Sequence, residues 1–534
     1  MNNLIKRIKN IKFHPVTTYV FLIIFVMLLS FILSLLNFQS TYNIVNQTDL
    51  SIDQVTVVVR NIFNYDGIKE IISNAAVNFM SFAPLSTFLI AAIGLAVCEA
   101  SGFLDLLFKK IFSKLNSRFV TFLIIFVATI STLINEIGYV ILIPIAAIIF
   151  KAKGRNPLGG VCAAFAGVAF ATGTTIFVGS VEISLIPYTT ASARLIDSIY
   201  HISLLSNIFI MIASSFILSI VGTIIIEKIL VPRLGKYKDK KHLEETSEVE
   251  IIDMDDDPNV IEQAILSNDY KEKRGFRLAS IIGILFILIF IYSVIPGLPF
   301  SGLLLDSNED IYLKQIFGSH SYFQDGFTYM ISLLFLVTGL AYGFGSKKFK
   351  SDKDIINHTS DCLLHIGGIV LLIFFASQFI AIFKMTNIGM VLTSIMVNFL
   401  NSLSFGGLPF LVISFLIIGL SNIFVTGIQT KWIMFAPVVV SVLMKSNISP
   451  QFAQFLMRAS DSITNGITPF YAYFVIFLGY LNFYNKDKNR PITMGKAIRL
   501  MMPYFIIITF TWLFILIGWY IIGLPIGPGV FPTI

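Results

Sequence analysis

Residues 16–36 read VTTYVFLIIFVMLLSFILSLL, with no Asp, Glu, Lys or Arg among them. A helix needs about 20 apolar residues to cross the hydrocarbon core of a bilayer. Comparable runs recur near 78–98, 202–230, 277–296, 326–345, 362–383 and 499–522. The runs are continuous, whereas barrel strands alternate over about ten residues, so helices are the expected spanning element. Across 534 residues the chain is 56% hydrophobic and only 13% charged, where a soluble domain is nearer about 25% charged. The expectation is an all-α polytopic membrane protein.

The formal net charge of +7 does not imply nucleic acid, because Lys and Arg sit mainly in short loops, where they set orientation. The start is basic (Lys6, Arg7, Lys9, Lys12) and reads as cytoplasmic. The first run is too long for a signal-peptide core and lacks a small-residue cleavage site, so it reads as a retained helix. Residues 39–76 carry only Arg60 and Lys69 as basic groups and fit the outside; their Asn46-Gln47-Thr48 sequon is read as chance. Cys98, Cys162 and Cys362 lie in or beside apolar segments and suggest free thiols, neither a disulfide frame nor a zinc site.

The segment 119–150 has basic residues on both flanks: Lys109, Lys110, Lys114 and Arg118 before it, Lys151, Lys153 and Arg155 after it. One crossing cannot leave both flanks on the same side; a re-entrant hairpin can, with Ser131, Thr132, Asn135, Glu136 and Gly138 at its tip. Such backbone survives at membrane depth only when packed in protein or lining a cavity. The segment 407–444 reads as a second hairpin, entering from the opposite side. The expected parts are 1–118, the first helices and a surface helix; 119–190, the first hairpin and a broken helix; 191–230, a further helix; 231–276, a cytoplasmic linker; 277–406, three helices and an interfacial segment; 407–480, the second hairpin and broken helix; and 481–534, the last helix and C-terminus. The tally is nine transmembrane helices plus two re-entrant hairpins.

Sliding the chain by 293 residues lays Phe122–Phe177 on Phe415–Phe470 without a gap. Phe122-Leu123-Ile124-Ile125 falls on Phe415-Leu416-Ile417-Ile418, Tyr139 on Trp432, Pro144 on Pro437, Pro157 on Pro450, and Gly173, Thr175 and Phe177 on Gly466, Thr468 and Phe470. The charge pattern gives the copies opposite orientations. That is the inverted-repeat plan of secondary transporters, with the site at the midplane where broken elements meet.

Ionised side chains near the bilayer centre cost at least about 2.5–3.5 kcal/mol each and usually face a cavity. Copy two offers Asn422, Gln429, Lys431, Trp432, Arg458, Asp461, Thr464, Asn465 and Thr468; copy one offers Asn135, Glu136, Thr172, Thr175 and Glu182. Asp461 can bind a cation or accept a proton; three residues from Arg458 on one helix face, it can equally form an ion pair with it. Lys431 can meet a substrate carboxylate or snorkel to the interface. Trp432 can stack on a ring or pack the hairpin. Gly138, Pro144, Gly173, Pro437, Pro450, Gly466 and Pro469 mark the breaks, which free backbone groups to ligate sodium or an anion. No histidine cluster has metal spacing, and no phosphate-binding Gly-Lys-Ser/Thr loop supports ATP-driven pumping. No paired nucleophile and base is visible for an intramembrane enzyme.

Several short stretches together resemble the AbgT family of p-aminobenzoyl-glutamate transporters over nearly the whole chain. They are His14-Pro15, Asn78–Leu85 (NFMSFAPL), Gly138–Pro144 (GYVILIP), Glu227–Gly235 (EKILVPRLG), Lys431-Trp432, Arg458-x-x-Asp461-Ser462-x-Thr464-Asn465-x-x-Thr468-Pro469, and Gly523-Leu524-Pro525-x-Gly527-Pro528-Gly529. The resemblance implies a homodimer in the inner membrane, an anionic small-molecule substrate and sodium or proton coupling with no other cofactor. Its polar site falls on Asn422, Trp432, Arg458, Asp461, Pro450 and Pro469. The chain departs from the family pattern at Asn135-Glu136, Glu182 and Gln429, where the family usually has Ser-Asp, Asp and Ser. A one-methylene change in a site is worth ~1–3 kcal/mol of discrimination. The resulting expectation is a secondary transporter of p-aminobenzoyl-glutamate or a related acid. Its alternative is a proton-driven exporter of sulfonamide-like drugs.

Overall fold

The computed structural model describes residues 13–134, 137–235, 258–318, 320–487 and 489–534. The basic start, the hairpin-tip pair Asn135 and Glu136, most of the expected linker (236–257) and Lys488 fall outside them.

The first helix, α1 (Pro15–Leu35), is capped by His14, whose ring accepts a bond from the Val16 amide. Two strands follow, β1 (Gln39–Val45) and β2 (Ile52–Val58), antiparallel in a register that runs from Gln39 opposite Val58 to Val45 opposite Ile52. They add one small sheet to the expected helices. The segment is rich in β-branched residues, which suit a pleated surface. The sequon is its turn, where Asn46 Oδ1 accepts the Thr48 amide. Next come α2 (Tyr65–Met80) and α3 (Ala83–Ser101), broken ahead of Pro84, and α4 (Phe103–Phe112), in the stretch where a surface helix is expected.

The first hairpin is α5 (Ser117–Ser131) and α6 (Ile137–Ala152). The first broken helix is α7 (Pro157–Ala169), an irregular stretch, and α8 (Ser180–Arg194). Then α9 (Ile208–Ile225) runs on through a π-turn to Leu234. The following helix, α10 (Pro258–Tyr292), starts inside the expected linker rather than after it. Lys, Glu, Gln and Ala are good helix formers, so an apolar run marks the membrane-embedded part of a helix rather than its end.

The remaining elements are α11 (Tyr312–Phe317), α12 (Tyr322–Gly345), α13 (Asp352–Leu363), α14 (Gly367–Met385), α15 (Ile388–Asn401), the second hairpin α16 (Gly407–Ser421) and α17 (Ile428–Lys445), the second broken helix α18 (Pro450–Ser462) and α19 (Phe474–Phe483), and α20 (Met494–Ile522).

Among the described residues eight helices are long and apolar enough to cross a membrane, or nine if the bent pair α4–α5 is one span. That tally counts α17, expected as a hairpin arm, and omits both broken helices, whose halves are each too short.

The 293-residue shift carries into the elements. Adding 293 to the bounds of α7 (157 and 169) gives 450 and 462, the bounds of α18. Adding it to the end of α6 (152) gives 445, the end of α17. Pro144 and Pro437, an equivalent pair, each sit inside a helix.

The outer faces and the centre differ in kind. Helices α1 and α10 expose broad apolar faces, including Phe21, Phe25, Ile284 and Leu288. By contrast, every residue of α18 is buried, Gln451, Gln454, Arg458 and Asp461 included. Around it, α16 and α17 pack on α18, α17 packs on α8, and α5 and α6 pack on α7. Small residues permit this closeness. A methyl group added at Gly173 would lie 2.7 Å from the Arg458 carbonyl oxygen. At the equivalent Gly466 it would enter the Phe170 ring.

Candidate functional site

Both hairpins and both helix breaks meet at one cavity of about 180 Å³. Thr132 and Tyr139 come from the first hairpin, Thr426, Gly427 and Ile428 from the second, Thr172 from the first break, and Asn465 and Tyr471 from the second. Val168 and Val181 are the apolar wall, and among the described residues Asp461 is the one carboxylate that lines it.

Asn422, the cap residue after α16, is the hub. Its Nδ2 donates to the Asp461 carbonyl at 2.6 Å, to Thr464 Oγ1 at 2.9 Å and to Asn465 Oδ1 at 2.8 Å. Its Oδ1 accepts from Lys431 Nζ, which also pairs with the Asp461 carboxylate. Lys431 is fully buried in the first turn of α17. A helix N-terminus disfavours a cation, and Asp461 offsets that penalty. Lys431 therefore does not snorkel; it points inward.

Arg458 makes the second pair, with Glu182 of the other copy. Glu182 lies in the first turn of α8, where the helix dipole favours an acid, and its Oε2 accepts the Gly179 amide at 3.0 Å. Arg458 Nη2 donates to the Thr172 carbonyl at 3.1 Å, and its Nη1 lies 3.4 Å from Met211 Sδ. The Arg458–Asp461 ion pair that their spacing suggests is replaced by two cross-element pairs, Lys431–Asp461 and Arg458–Glu182. Together the four side chains carry no net charge.

Trp432 is fully buried, and its Nε1 donates to Thr189 Oγ1 at 2.8 Å. Thr189 in turn donates to Gln454 Oε1 at 2.6 Å. Here the indole ties α17 to α8, the packing alternative. Gln429 is exposed and bonds the Tyr188 hydroxyl at 3.2 Å. It faces an outer cavity of about 490 Å³ that also takes in Val181, Gln324 and Asp325. Thr464 and Thr468 donate to the carbonyls of Gly419 and Ile423 at 3.0 and 2.9 Å, holding the second break against α16. Thr175 turns back on the Phe177 carbonyl, away from the hub. Thr172 Oγ1 accepts from Asn465 at 3.1 Å. Pro450 opens α18 at its far end from the cavity, and Pro469 lies in the second break.

A third cavity, of about 510 Å³, adjoins the first and shares Thr426, Gly427 and Tyr471 with it. Phe383, Phe424, Phe470 and Tyr473 line it, with Lys384 and Asn387. Neither these rings nor Lys384 stand out in the sequence, because isolated aromatics in apolar runs carry no signal. Gln454 does leave one. Gln451, Gln454, Arg458, Asp461 and Asn465 recur at intervals of three and four residues, a polar stripe on one helix face.

A model of the AbgT transporter family matches residues 1–534. The p-aminobenzoyl-glutamate transport protein of Escherichia coli (strain K12) is 29% identical over 530 residues, which is 99% of this chain and 96% of that protein. Among solved structures, the Alcanivorax borkumensis YdaH transporter is similar at 27% identity and TM-score 0.45, covering 96% of this chain and 100% of that one. Neisseria gonorrhoeae MtrF, described with a class of antimetabolite efflux pumps, is similar at 28% identity and TM-score 0.46, covering 98% of each chain. The chain, a multi-pass helical membrane protein, belongs to the AbgT transporter family.

Proposed function

We propose that this chain is a secondary active transporter of p-aminobenzoyl-glutamate or a related aromatic or dicarboxylate anion. It works in the inner membrane, with its N-terminus in the cytoplasm, and is coupled to sodium or protons. The observation that carries the reading is the cavity where two hairpins and two helix breaks converge beside the Lys431–Asp461 pair. Broken elements at one point are the setting in which transporters hold substrate and ion. The aromatic cavity with Lys384 at its edge supports a ring-bearing anion. In this reading a substrate carboxylate competes with Asp461 for Lys431. The Asp461 carboxylate so released takes up a sodium ion or a proton, helped by Asn422, Thr464 and Asn465. Glu182 and Arg458 hold the first break against the second helix while this happens.

The test is flux of labelled p-aminobenzoyl-glutamate into proteoliposomes, with the sodium and proton gradients imposed separately. One gradient should drive flux, and Asp461→Ala should abolish it. No gradient-dependent flux of this substrate or of sulfonamides, together with an unaffected Asp461→Ala variant, would sink the reading. Gradient-driven export of sulfonamides alone would assign the chain to drug efflux instead.

A further inference from the structure

Away from the central cavity, a pocket of about 410 Å³ lies where α7, α9, α19 and α20 come together. Arg233, Lys486, Lys496 and Arg499 line it, and among the described residues no Asp or Glu does. Arg233, Lys496 and Arg499 are exposed, and none forms an ion pair with a described residue. Asp487, an acid close by in sequence, pairs with Arg490 at 3.7 Å. Lys496 and Arg499 lie in the first two turns of α20, which has no acid in its first turn. The helix dipole adds to their repulsion there instead of relieving it.

The walls are fixed. Asn156 Nδ2 donates to the carbonyls of Leu234 and Gly235 at 3.1 and 3.2 Å, joining the start of α7 to the end of α9. The Asn482 side chain clamps Ile492 at both its amide and its carbonyl, at 2.8 and 3.1 Å. Asn485 holds the carbonyls of Asp487 and Arg490, each at 2.9 Å. Leucines 158, 234, 481 and 500 and Ile492 make the pocket apolar beneath its cationic rim.

Position decides what such a pocket takes. Arg233 stands at the end of the span Ile208–Leu234, and Lys496 and Arg499 at the start of the span Met494–Ile522. Span ends lie at headgroup depth, and basic pockets between membrane helices suit anionic headgroups. A free phosphate would use the cations but not the leucines; a phospholipid uses both. We propose that this pocket binds an anionic phospholipid, its phosphodiester on Arg233, Lys496 and Arg499 and its glycerol and upper acyl carbons on the leucines. The site is separate from the transport cavity and does not depend on which substrate is carried.

The full chain in nanodiscs of phosphatidylcholine, with and without phosphatidylglycerol, tests this by native mass spectrometry of retained lipid. Wild type should retain phosphatidylglycerol in preference to phosphatidylcholine. Each Lys or Arg near an anionic surface is worth roughly fivefold in affinity, so R233Q/K496Q/R499Q should lose about a hundredfold. A charge-matched control, K109Q/K114Q/R118Q, should keep the preference. If the triple pocket variant does not elute as folded protein, R499Q alone should lose roughly fivefold. Three results would overturn the proposal: no preference for phosphatidylglycerol, equal loss in the control, or displacement of the lipid by inorganic phosphate at matched concentration.

Discussion

Asn465 donates a 3.1 Å hydrogen bond to Thr172, and the two residues are 293 positions apart. That interval is the one that lays Phe122–Phe177 on Phe415–Phe470. The two residues are equivalent positions of the 293-residue shift, one in each break. The break in each broken helix is thus packed against the break in the other.

Arg458 and Glu182, which brace this contact, should behave as one unit. Arg458→Gln alone leaves an uncompensated buried carboxylate, and Glu182→Gln alone an uncompensated guanidinium; either should cost ~3–5 kcal/mol. The double variant should recover most of that loss. Thermal unfolding of the purified single and double variants measures it, and additive losses would contradict the pairing.

Asn422→Ala should leave the fold intact while disabling the hub. Four bonds converge on this side chain. Unsatisfied buried polar groups cost ~1–3 kcal/mol each, although the cavity can admit water to some of them. Proteoliposome flux should fall far more than the yield of monodisperse protein. Equal falls in both would make Asn422 a purely structural residue.

The two crossing glycines should respond differently to rescue. Gly173→Ala drives a methyl against the Arg458 backbone, and Gly466→Ala drives one into the Phe170 ring. Each overpacked site should cost ~1–3 kcal/mol. Adding Phe170→Leu should restore stability to Gly466→Ala and not to Gly173→Ala, as read from melting temperatures.

Glu227 should lock the end of the first hairpin. It accepts from Arg155 Nη2 at 2.6 Å and from Thr121 Oγ1 at 2.5 Å, linking α9 to α5 and to the α6–α7 turn. Glu227→Gln replaces a charge-assisted contact with a neutral one and should cost ~1–2 kcal/mol. Hydrogen exchange should quicken in α5 and in the turn around Arg155, with α16 and α17 unchanged.

Local order is legible where one stretch of chain decides it. Arg118 sits in the first turn of α5 and Lys153 just past the end of α6, so the basic flanks do bracket the first helix pair. The breaks at Gly173 and Gly466 are written as Gly and Thr within apolar runs. Pairing across elements is not legible. Arg458 and Asp461 are close on one helix, so spacing joins them; the fold instead gives Asp461 to Lys431 of α17 and Arg458 to Glu182 of α8, both of which pack on α18. The β-hairpin is hidden because hydropathy separates membrane from loop and says nothing of how a loop folds. Lys384 and the rings around it are hidden because a cavity is a property of several elements at once.

The neutrality of the buried quartet has one more consequence. A vestibule with a spare positive charge could draw in an anion and hold it unaided, and would then release it slowly. Here every charge of the quartet already has its opposite, so on the proposed function a carboxylate would reach Lys431 only by unseating Asp461. The displaced carboxylate would then be an unbalanced charge in a largely buried place, and it would need a companion cation. On the proposed function, coupling would then be a condition of entry: a passenger without its counter-ion would have no seat.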